Sequence, residues 1–287
     1  MLRKILLPLS GSPREAAALR AAFALVRTFG AHLEGLFARV DPRDAVPLLG
    51  EGMSGTIVDD IMGTVEAESM QAARAARAAF EAARAAAGVP GVGRPTGAGG
   101  ASARWTELVG RPDELAAREA RLADLTVFAQ PAVAADADST VVLETALLGS
   151  GRPLLLVPDE PPDVIGSTVA IAWNGSAEAA AAVFSAMPLL ARAAVVHVLT
   201  AQTRETAADA GDGLVEYLAC HGIAGRTTHL RPEAGRVGAS LVGAAVELGA
   251  DLLVMGGYGH SRMREMILGG VTRHVIGHAG IPVLMAH

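Results

Sequence analysis

The sequence repeats itself, and this repeat limits the folds that are open to the chain. Four segments of the first half recur in the same order in the second half: an apolar run ending in Ser-Gly-Ser or Asn-Gly-Ser, another apolar run, an Ala-Asp-Leu run and a Gly-x-Pro run. The pairs are 4–12 and 168–176, 31–40 and 193–202, 123–128 and 250–255, and 151–156 and 280–285. Such self-similarity indicates two copies of one structural unit. A Pro-rich stretch at 158–162 lies between them, so we predict domains at 1–158 and 164–287.

Within each copy, short apolar runs alternate with segments of helical periodicity. Residues 4–10 have the pattern of a buried strand, 14–29 that of a helix and 32–40 that of a second strand. Ser12 is suited to cap the helix and Gly30 to end it. Strands and helices that alternate with short connections are typical of a parallel sheet covered by helices. We therefore predict an α/β fold with two tandem doubly wound domains.

The first copy is longer than the second, chiefly because of residues 41–80. We expect 41–64 to be irregular because they contain several glycines and prolines, and 65–87 to form a long helix rich in Ala, Arg and Glu. Residues 88–100 are a Gly- and Pro-rich loop. We interpret the long helix as one that packs over the sheet and not as a coiled coil or a nucleic-acid binder.

Composition excludes several function classes. The net charge is −6 and no Arg-rich run with interleaved aromatics occurs, which argues against nucleic acid as a partner. No uncharged apolar run reaches the length that a membrane span needs, so we predict no membrane association. The single cysteine, Cys220, forbids an intrachain disulfide, and the apolar run after Met1 is too short for a signal peptide. A cytoplasmic location fits these features.

The chemistry is concentrated where one apolar run meets glycine. Residues 252–255 are followed by Gly256-Gly257-Tyr258-Gly259, and Gly269-Gly270 comes after nine intervening residues. Glycine at a strand end lets the backbone approach a ligand closely, and N–H groups there and at the next helix N-terminus can bind phosphate. Ligands of doubly wound sheets bind at the carboxyl ends of strands where the strand order reverses. Asn174, at another strand end, could therefore hydrogen-bond a ribose hydroxyl.

The segment Gly256-x2-Gly259-x9-Gly269 resembles the nucleotide-binding signature of the universal stress protein family, and the resemblance extends over both halves. It implies a tandem member of that family, each domain a five-stranded parallel sheet of order 3-2-1-4-5 with helices on both faces. It also implies that ATP, or ADP or AMP, binds with or without Mg²⁺. Its adenine would lie near the ends of strands one and two, and its phosphates on the glycine loop. The implied site residues are Ala172, Trp173, Asn174, Val198, Met255, Gly256, Gly259, His260, Ser261, Arg262, Gly269, Gly270, Val271 and Thr272.

Two departures from the family pattern predict weakened binding. Gly270 stands where the family has Ser or Thr, so one side-chain hydrogen bond to phosphate is lost. A charge-assisted bond of this kind contributes roughly 1.5–3 kcal/mol, which corresponds to about ten- to a hundredfold in affinity. Asn174 replaces the usual Asp, which keeps an acceptor for the ribose but removes its charge.

The first half departs further. Where the second half has Gly256 to Gly259, the first has Gln130-Pro131-Ala132-Val133, with Asp136 and Asp138 close behind. Proline has no N–H to donate, and carboxylates repel phosphate. We therefore predict that the first half is a degenerate copy that binds no nucleotide.

Three functions remain open on the sequence: a nucleotide-binding sensor or module of a stress response, a nucleotide-free dimerisation or interaction module, and a slow ATPase that uses Thr272 or a metal-bound water. No nucleophile–base pair is evident, so we assign no catalytic residue. His274 and His278 have a spacing that can bind zinc, but no third ligand is evident and we interpret them as helix surface. The family resemblance implies that the last strands of the halves, 153–157 and 282–286, pair as an internal pseudo-dimer; a homodimer stays open.

Overall fold

The computed structural model describes residues 2–41, 55–95, 99–131, 137–201, 211–232, 236–258 and 270–287. These residues pack as two compact units. The N-terminal unit comprises Leu2–Val127 and Val141–Ser150, and the C-terminal unit comprises Phe128–Thr140 and Gly151–His287. The domain boundaries at 1–158 and 164–287 stay a prediction.

The first half of the chain is built on parallel strands in the order β3-β2-β1-β4. Its strands are β1 (Lys4–Leu9), β2 (His32–Arg39), β3 (Ser102–Val109) and β4 (Leu125–Ala129), and its helices are α1 (Ala16–Phe29), α2 (Gly55–Ala86), α3 (Pro112–Ala120) and α4 (Ala137–Ser150). Ser12 caps a short 3₁₀ turn that leads into α1, and Gly30 ends α1 with a φ of 59°, as the sequence predicts.

The C-terminal unit contains six strands in the order β8-β7-β6-β9-β10-β5. They are β5 (Leu154–Val157), β6 (Thr168–Ala172), β7 (Val195–Ala201), β8 (Gly225–Leu230), β9 (Leu252–Gly256) and β10 (Val283–Ala286). Its helices are α5 (Ala177–Leu190), α6 (Asp212–Cys220), α7 (Val237–Glu247) and α8 (Gly270–His278). The strands pair in parallel except for β5 and β10, which are antiparallel with Val283 opposite Leu156.

The predicted fold class is confirmed. Strands β6 to β10 follow the order 3-2-1-4-5 when they are numbered within their own half. Strands β1 to β4 follow the same order, and the backbone N–H of Gln130, directly after β4, donates to the Val157 carbonyl of β5. Within the described ranges, no helix is long and apolar enough to cross a membrane.

One element differs from its prediction. Helix α2 begins at Gly55, so residues 55–64, which we expected to be irregular, are helical. Gly63 lies inside the helix, where a single glycine costs only about 1 kcal/mol relative to alanine. Phe80 of α2 packs so closely on β2 that a Cβ on Gly35 would lie 2.6 Å from its ring.

An aspartate explains part of the sequence repeat. The Asp124 carboxylate accepts hydrogen bonds from the N–H groups of Arg3 and Lys4, at the start of β1. In the C-terminal unit the Asp251 carboxylate accepts from Gly166, Ser167 and Thr168, at the start of β6. Each aspartate therefore fixes the entry of the central strand of its own half.

Candidate functional site

The site lies where the strand order reverses in the C-terminal unit. Strand β6 pairs with β7 on one side and with β9 on the other. The last registered pair of β6 and β9 is Ala172 opposite Met255. The chain runs from β6 outward through β7 and β8 and then crosses to β9 and β10. A crevice at such a reversal is where α/β sheets bind ligands. The structure thus brings Ala172, Trp173 and Asn174 to the same edge as Met255 and Gly256.

The turn after β6 is shaped by its own side chains. The N–H of Trp173 donates to the Leu199 carbonyl at 2.8 Å, which extends the sheet by one residue. The Oδ1 of Asn174 accepts from the N–H of Ser176 at 3.1 Å across Gly175, whose φ is 77°. The Oγ of Ser176 then caps α5. Asn174 is exposed, so its carboxamide is held at the surface of this edge.

Gly256 is required by the packing of β9 against α5. A Cβ at this position would lie 2.6 Å from the backbone nitrogen of Ala179 and 2.8 Å from the carbonyl carbon of Glu178. Both atoms belong to the backbone of the first turn of α5, which cannot yield as a flexible side chain can. The end of β9 therefore touches the start of α5, and only glycine allows this approach.

The next two residues are fixed by hydrogen bonds. The N–H of Gly257 donates to the Ala286 carbonyl at 2.8 Å, and the ring Nδ1 of His287 donates to the Gly257 carbonyl at 3.0 Å. The N–H of Tyr258 donates to the Oγ1 of Thr272 at 3.2 Å. Tyr258 has a φ of 56°, in the left-handed region, and its side chain is buried. Among the described residues it is the only non-glycine with a positive φ, and this strained position adjoins the motif.

Helix α8 presents its N-terminus beside the end of β9, since Thr272 lies in its first turn. Gly270 is the first described residue of this helix and is exposed, and no atom of the described residues lies within 4 Å of a Cβ added there. The first N–H groups of a helix have no intrahelical partner and carry its positive end, so they attract anions. The arrangement can therefore hold a phosphate between a strand end and a helix start.

The other predicted residues have mixed placements. Val271 is half-buried in the first turn of α8. Val198 is fully buried within β7, three residues before that strand ends, so the structure does not bring its side chain to the edge. The remaining five lie outside the described residues: Gly259, His260, Ser261, Arg262 and Gly269.

Tyr258 is the residue that sequence reasoning missed. It occupies one of the two variable positions between Gly256 and Gly259, and the motif ascribes nothing to those positions. The available signal was that a large aromatic residue interrupts a run of three glycines.

The matching turn of the N-terminal unit is occupied by the protein itself. The carboxylate of Glu15 accepts from the N–H groups of Ser10 at 2.6 Å and Gly11 at 3.2 Å, and Glu15 is buried. A Cβ on Gly11 would lie 2.7 Å from the Ala72 carbonyl oxygen of α2. When the two central strands are aligned by their register, Ala179 takes the place of Glu15 in the second half, and alanine has no carboxylate to do this.

The two histidines of α8 stack on each other. Their ring centroids are 4.5 Å apart with an interplanar angle of 10°, and the Nδ1 of His278 donates to the His274 carbonyl. Burial lowers the pKa of His274, and the neighbouring His278 lowers it further. In the part of the chain that the structure describes, no group of three or more His, Cys, Asp or Glu side chains could hold a metal ion.

Known proteins share the fold of this chain. The model of the universal stress protein family matches residues 167–287. Residues 167–287 therefore carry a universal stress protein domain. No protein of the curated set matches the chain.

Solved structures resemble the chain over nearly its whole length. A universal stress protein from Archaeoglobus fulgidus is 15% identical with a TM-score of 0.69, over 99% of this chain and 97% of that one. A functionally unknown protein from Pseudomonas aeruginosa PAO1 is 14% identical with a TM-score of 0.57, over 99% and 92% of the two chains. At these identities the likeness shows the fold, and full-length matches are consistent with a tandem arrangement of two such domains.

Proposed function

We propose that the C-terminal half binds an adenine nucleotide, ATP or its di- or monophosphate, and that the chain acts as a sensor or binding module in a stress response. One observation carries the phosphate part of this proposal. The end of β9 and the N-terminus of α8 are joined by the Tyr258–Thr272 hydrogen bond at the edge where the strand order reverses. The preference for adenine rests on the family to which residues 167–287 belong.

In this proposal the backbone holds the phosphates. The N–H groups at the start of α8 face them, and Gly270 leaves room for close approach. Asn174 offers its exposed carboxamide to the ribose, and Ala172 and Trp173 line the end of β6 toward the base. Mg²⁺ would be held mainly through the phosphates when it accompanies the nucleotide, as is common for this ion.

Binding is supported better than turnover. The sequence left Thr272 as a candidate for phosphate transfer, but its hydroxyl already accepts from Tyr258, and its side chain is 5% exposed. A residue held in this way is suited to shape the site. We therefore propose a binding protein with at most weak ATP hydrolysis.

The remaining features of the proposal concern location and assembly. We propose a cytoplasmic protein without nucleic-acid partners, because the chain carries one cysteine and a net charge of −6. The antiparallel pairing of β5 and β10 supports pairing of the two halves through their last strands. Size-exclusion chromatography with light scattering would show whether a homodimer forms in addition.

Calorimetry tests nucleotide binding directly. Protein stripped of nucleotide is titrated with ATP, ADP and AMP, and Gly270→Glu is compared with Gly280→Glu. In the described part of the chain no atom lies within 4 Å of a Cβ at either glycine, so both variants should fold. The carboxylate at 270 would face the phosphates and should lower ATP affinity by about tenfold or more, whereas the one at 280 should not. Absence of both heat and thermal shift at millimolar nucleotide would overturn the proposal. Release of inorganic phosphate that Gly270→Glu abolishes would instead support the ATPase.

A further inference from the structure

We propose that Thr272 is a positioning residue, whose hydroxyl sets the N-terminus of α8 against the end of β9 so that both face one phosphate group. The inference rests on the proposed nucleotide binding and deepens it. It assigns to Thr272 an action through the backbone of Tyr258 and not a contact with the ligand.

The geometry supports a fixed connection. Thr272 and Tyr258 are 5% and 2% exposed, so water does not compete for their hydrogen bond. The residue before Tyr258 is itself held, because Gly257 bonds the end of β10 through both its N–H and its carbonyl. Tyr258 thus connects the end of β9, which is held in place, to the first turn of α8.

The conformation of Tyr258 needs such a restraint. Its φ of 56° is unfavourable for any residue with a Cβ, and more so for a bulky one. Such a conformation persists when surrounding contacts hold it in place. The buried aromatic ring and the bond from its N–H to Thr272 are two such contacts.

The internal repeat provides a built-in comparison. Strands β4 and β9 align with Ala129 at the position of Gly256, which places Pro131 at the position of Tyr258. Strands β5 and β10 align with Leu154 at the position of Val283, which places Leu143 at the position of Thr272. Both alignments agree, because Gln130 N–H bonds Val157 as Gly257 N–H bonds Ala286.

The first half has therefore lost both partners of the hydrogen bond. Proline has no N–H, and leucine has no acceptor. The bond one residue earlier is kept in both halves, at 2.8 Å each time. The Tyr258–Thr272 connection thus occurs only in the half that carries the glycine motif. A bond needed merely to build the fold would be expected in both.

A connection of this kind acts by preorganisation. Donors from a strand end and a helix start bind one anion well only if their relative position is set before binding, because ordering them afterwards costs conformational entropy. Loss of the bond should therefore weaken the binding of phosphate groups and leave the base and ribose contacts at the end of β6 unchanged.

The test compares Thr272→Val, which keeps the shape and removes the acceptor, with Thr272→Ser, which keeps the acceptor. Calorimetry measures the affinities of the wild type and of both variants for ATP and for adenosine. Thr272→Val should lower the affinity for ATP by about tenfold and the affinity for adenosine by less than about twofold. The affinities of Thr272→Ser for both ligands should stay within about threefold of wild type. A general loss of stability would lower the affinities for the two ligands by the same factor, so equal losses of affinity would overturn the inference.

A second measurement covers the case in which Thr272→Val does not fold. Hydrogen exchange of the Tyr258 amide should be slow in the ligand-free wild type and in Thr272→Ser. Fast exchange there contradicts the connection whatever the ligand results. If the wild type binds no nucleotide although the amide is protected, the proposed function has failed, and with it any positioning of a phosphate. If ATP binds equally to wild type and Thr272→Val, only the positioning inference has failed.

Discussion

Glu34 is a carboxylate inside the N-terminal unit whose partners keep it ionised. It is 3% exposed and lies on β2, where Lys4 Nζ is 2.7 Å and Arg104 Nη2 is 2.5 Å from its oxygens. Thr106 donates a further hydrogen bond at 2.9 Å. Burial alone would raise the pKa of Glu34, but the hydrogen bonds from Lys4, Arg104 and Thr106 outweigh it and lower the pKa from 4.5 to about 2.

The depressed pKa makes stability depend on pH with a definite sign. The folded state holds its charge more strongly than the unfolded state does, so this stabilisation is complete above pH 4.5 and is lost as the pH falls toward 2. Glu34→Gln should lower the free energy of unfolding at pH 7 by about 3 kcal/mol, because two cations lose their partner. Urea unfolding at pH 7 and at pH 3 should show a smaller difference from wild type at pH 3.

A surface carboxylate serves as the control for Glu34. Glu114 pairs with Arg111 at 3.4 Å, and both side chains are more than half exposed. Glu114→Gln should change stability by less than about 0.5 kcal/mol at either pH. If Glu34→Gln cost the same at pH 7 and pH 3, Glu34 would not have the lowered pKa that its partners impose.

Gly270 is the position at which nucleotide affinity could be increased by one substitution. None of the described residues crowds a Cβ at this position, and Ser is favoured at helix starts, so Gly270→Ser should fold without strain. The added hydroxyl would restore the phosphate contact of the family pattern and raise ATP affinity by about tenfold. Gly280→Ser, in equally open space, should have no effect in the same titration. An unchanged affinity for Gly270→Ser would mean that the phosphates do not lie at the start of α8.

At the scale of elements, the contact between β9 and α5 depends on Gly256. Its nearest neighbours are backbone atoms of Ala179 and Glu178, so an added methyl group must push a strand and a helix apart. Gly256→Ala should reduce stability by about 3 kcal/mol, as overpacking does elsewhere. Thermal and urea unfolding would measure this, with Gly280→Ala as the matched variant that adds the same group in open space. A Gly256→Ala protein as stable as Gly280→Ala would show that the two elements separate easily.

The sequence predicts where helices and strands occur because each of them has its own hydrophobic periodicity. The predicted strand at 4–10 and helix at 14–29 correspond to β1 and α1, and the predicted last strand at 282–286 contains β10. The start of α2 differs from its prediction because Gly55 and Gly63, which are typical of irregular segments, lie within a helix whose apolar spacing is regular. Val58, Ile61, Met62 and Val65 are spaced as one face of a helix, and all four are half-buried there.

The residues of the candidate site could be predicted from the sequence motif, but the contacts between them could not. Glycine spacing predicts Gly256 and Gly270 as site residues, the resemblance implies Thr272, and all three stay predictions. The bond between Tyr258 and Thr272 joins residues fourteen positions apart, and no local pattern encodes such a contact. Val198 was selected through the resemblance, yet register places it inside β7. Register follows from the packing of the whole sheet, which a short motif does not contain.

At the scale of the whole molecule, the two halves share the elements that build the sheet and differ at the edge that would bind a ligand. Asp124 and Asp251 fix the first strand of each half in the same way. The turn after β1 is closed by Glu15, whereas the turn after β6 ends in the exposed Asn174. Both halves therefore keep the hydrogen bonds that fix their central strand, while only the second half has the Tyr258–Thr272 hydrogen bond among the described residues.

This asymmetry predicts one nucleotide per chain. Native mass spectrometry and calorimetric stoichiometry should both count one ATP for the wild type and none for Gly270→Glu. Glu15→Ala would release the N–H groups of Ser10 and Gly11, but it should not create a second site. The Ala72 carbonyl still lies against Gly11, and Pro131 still lacks an N–H where the second half has Tyr258. A second bound ATP in the wild type or in Glu15→Ala would contradict the assignment of a single working half, since the first half would then bind phosphate by other groups.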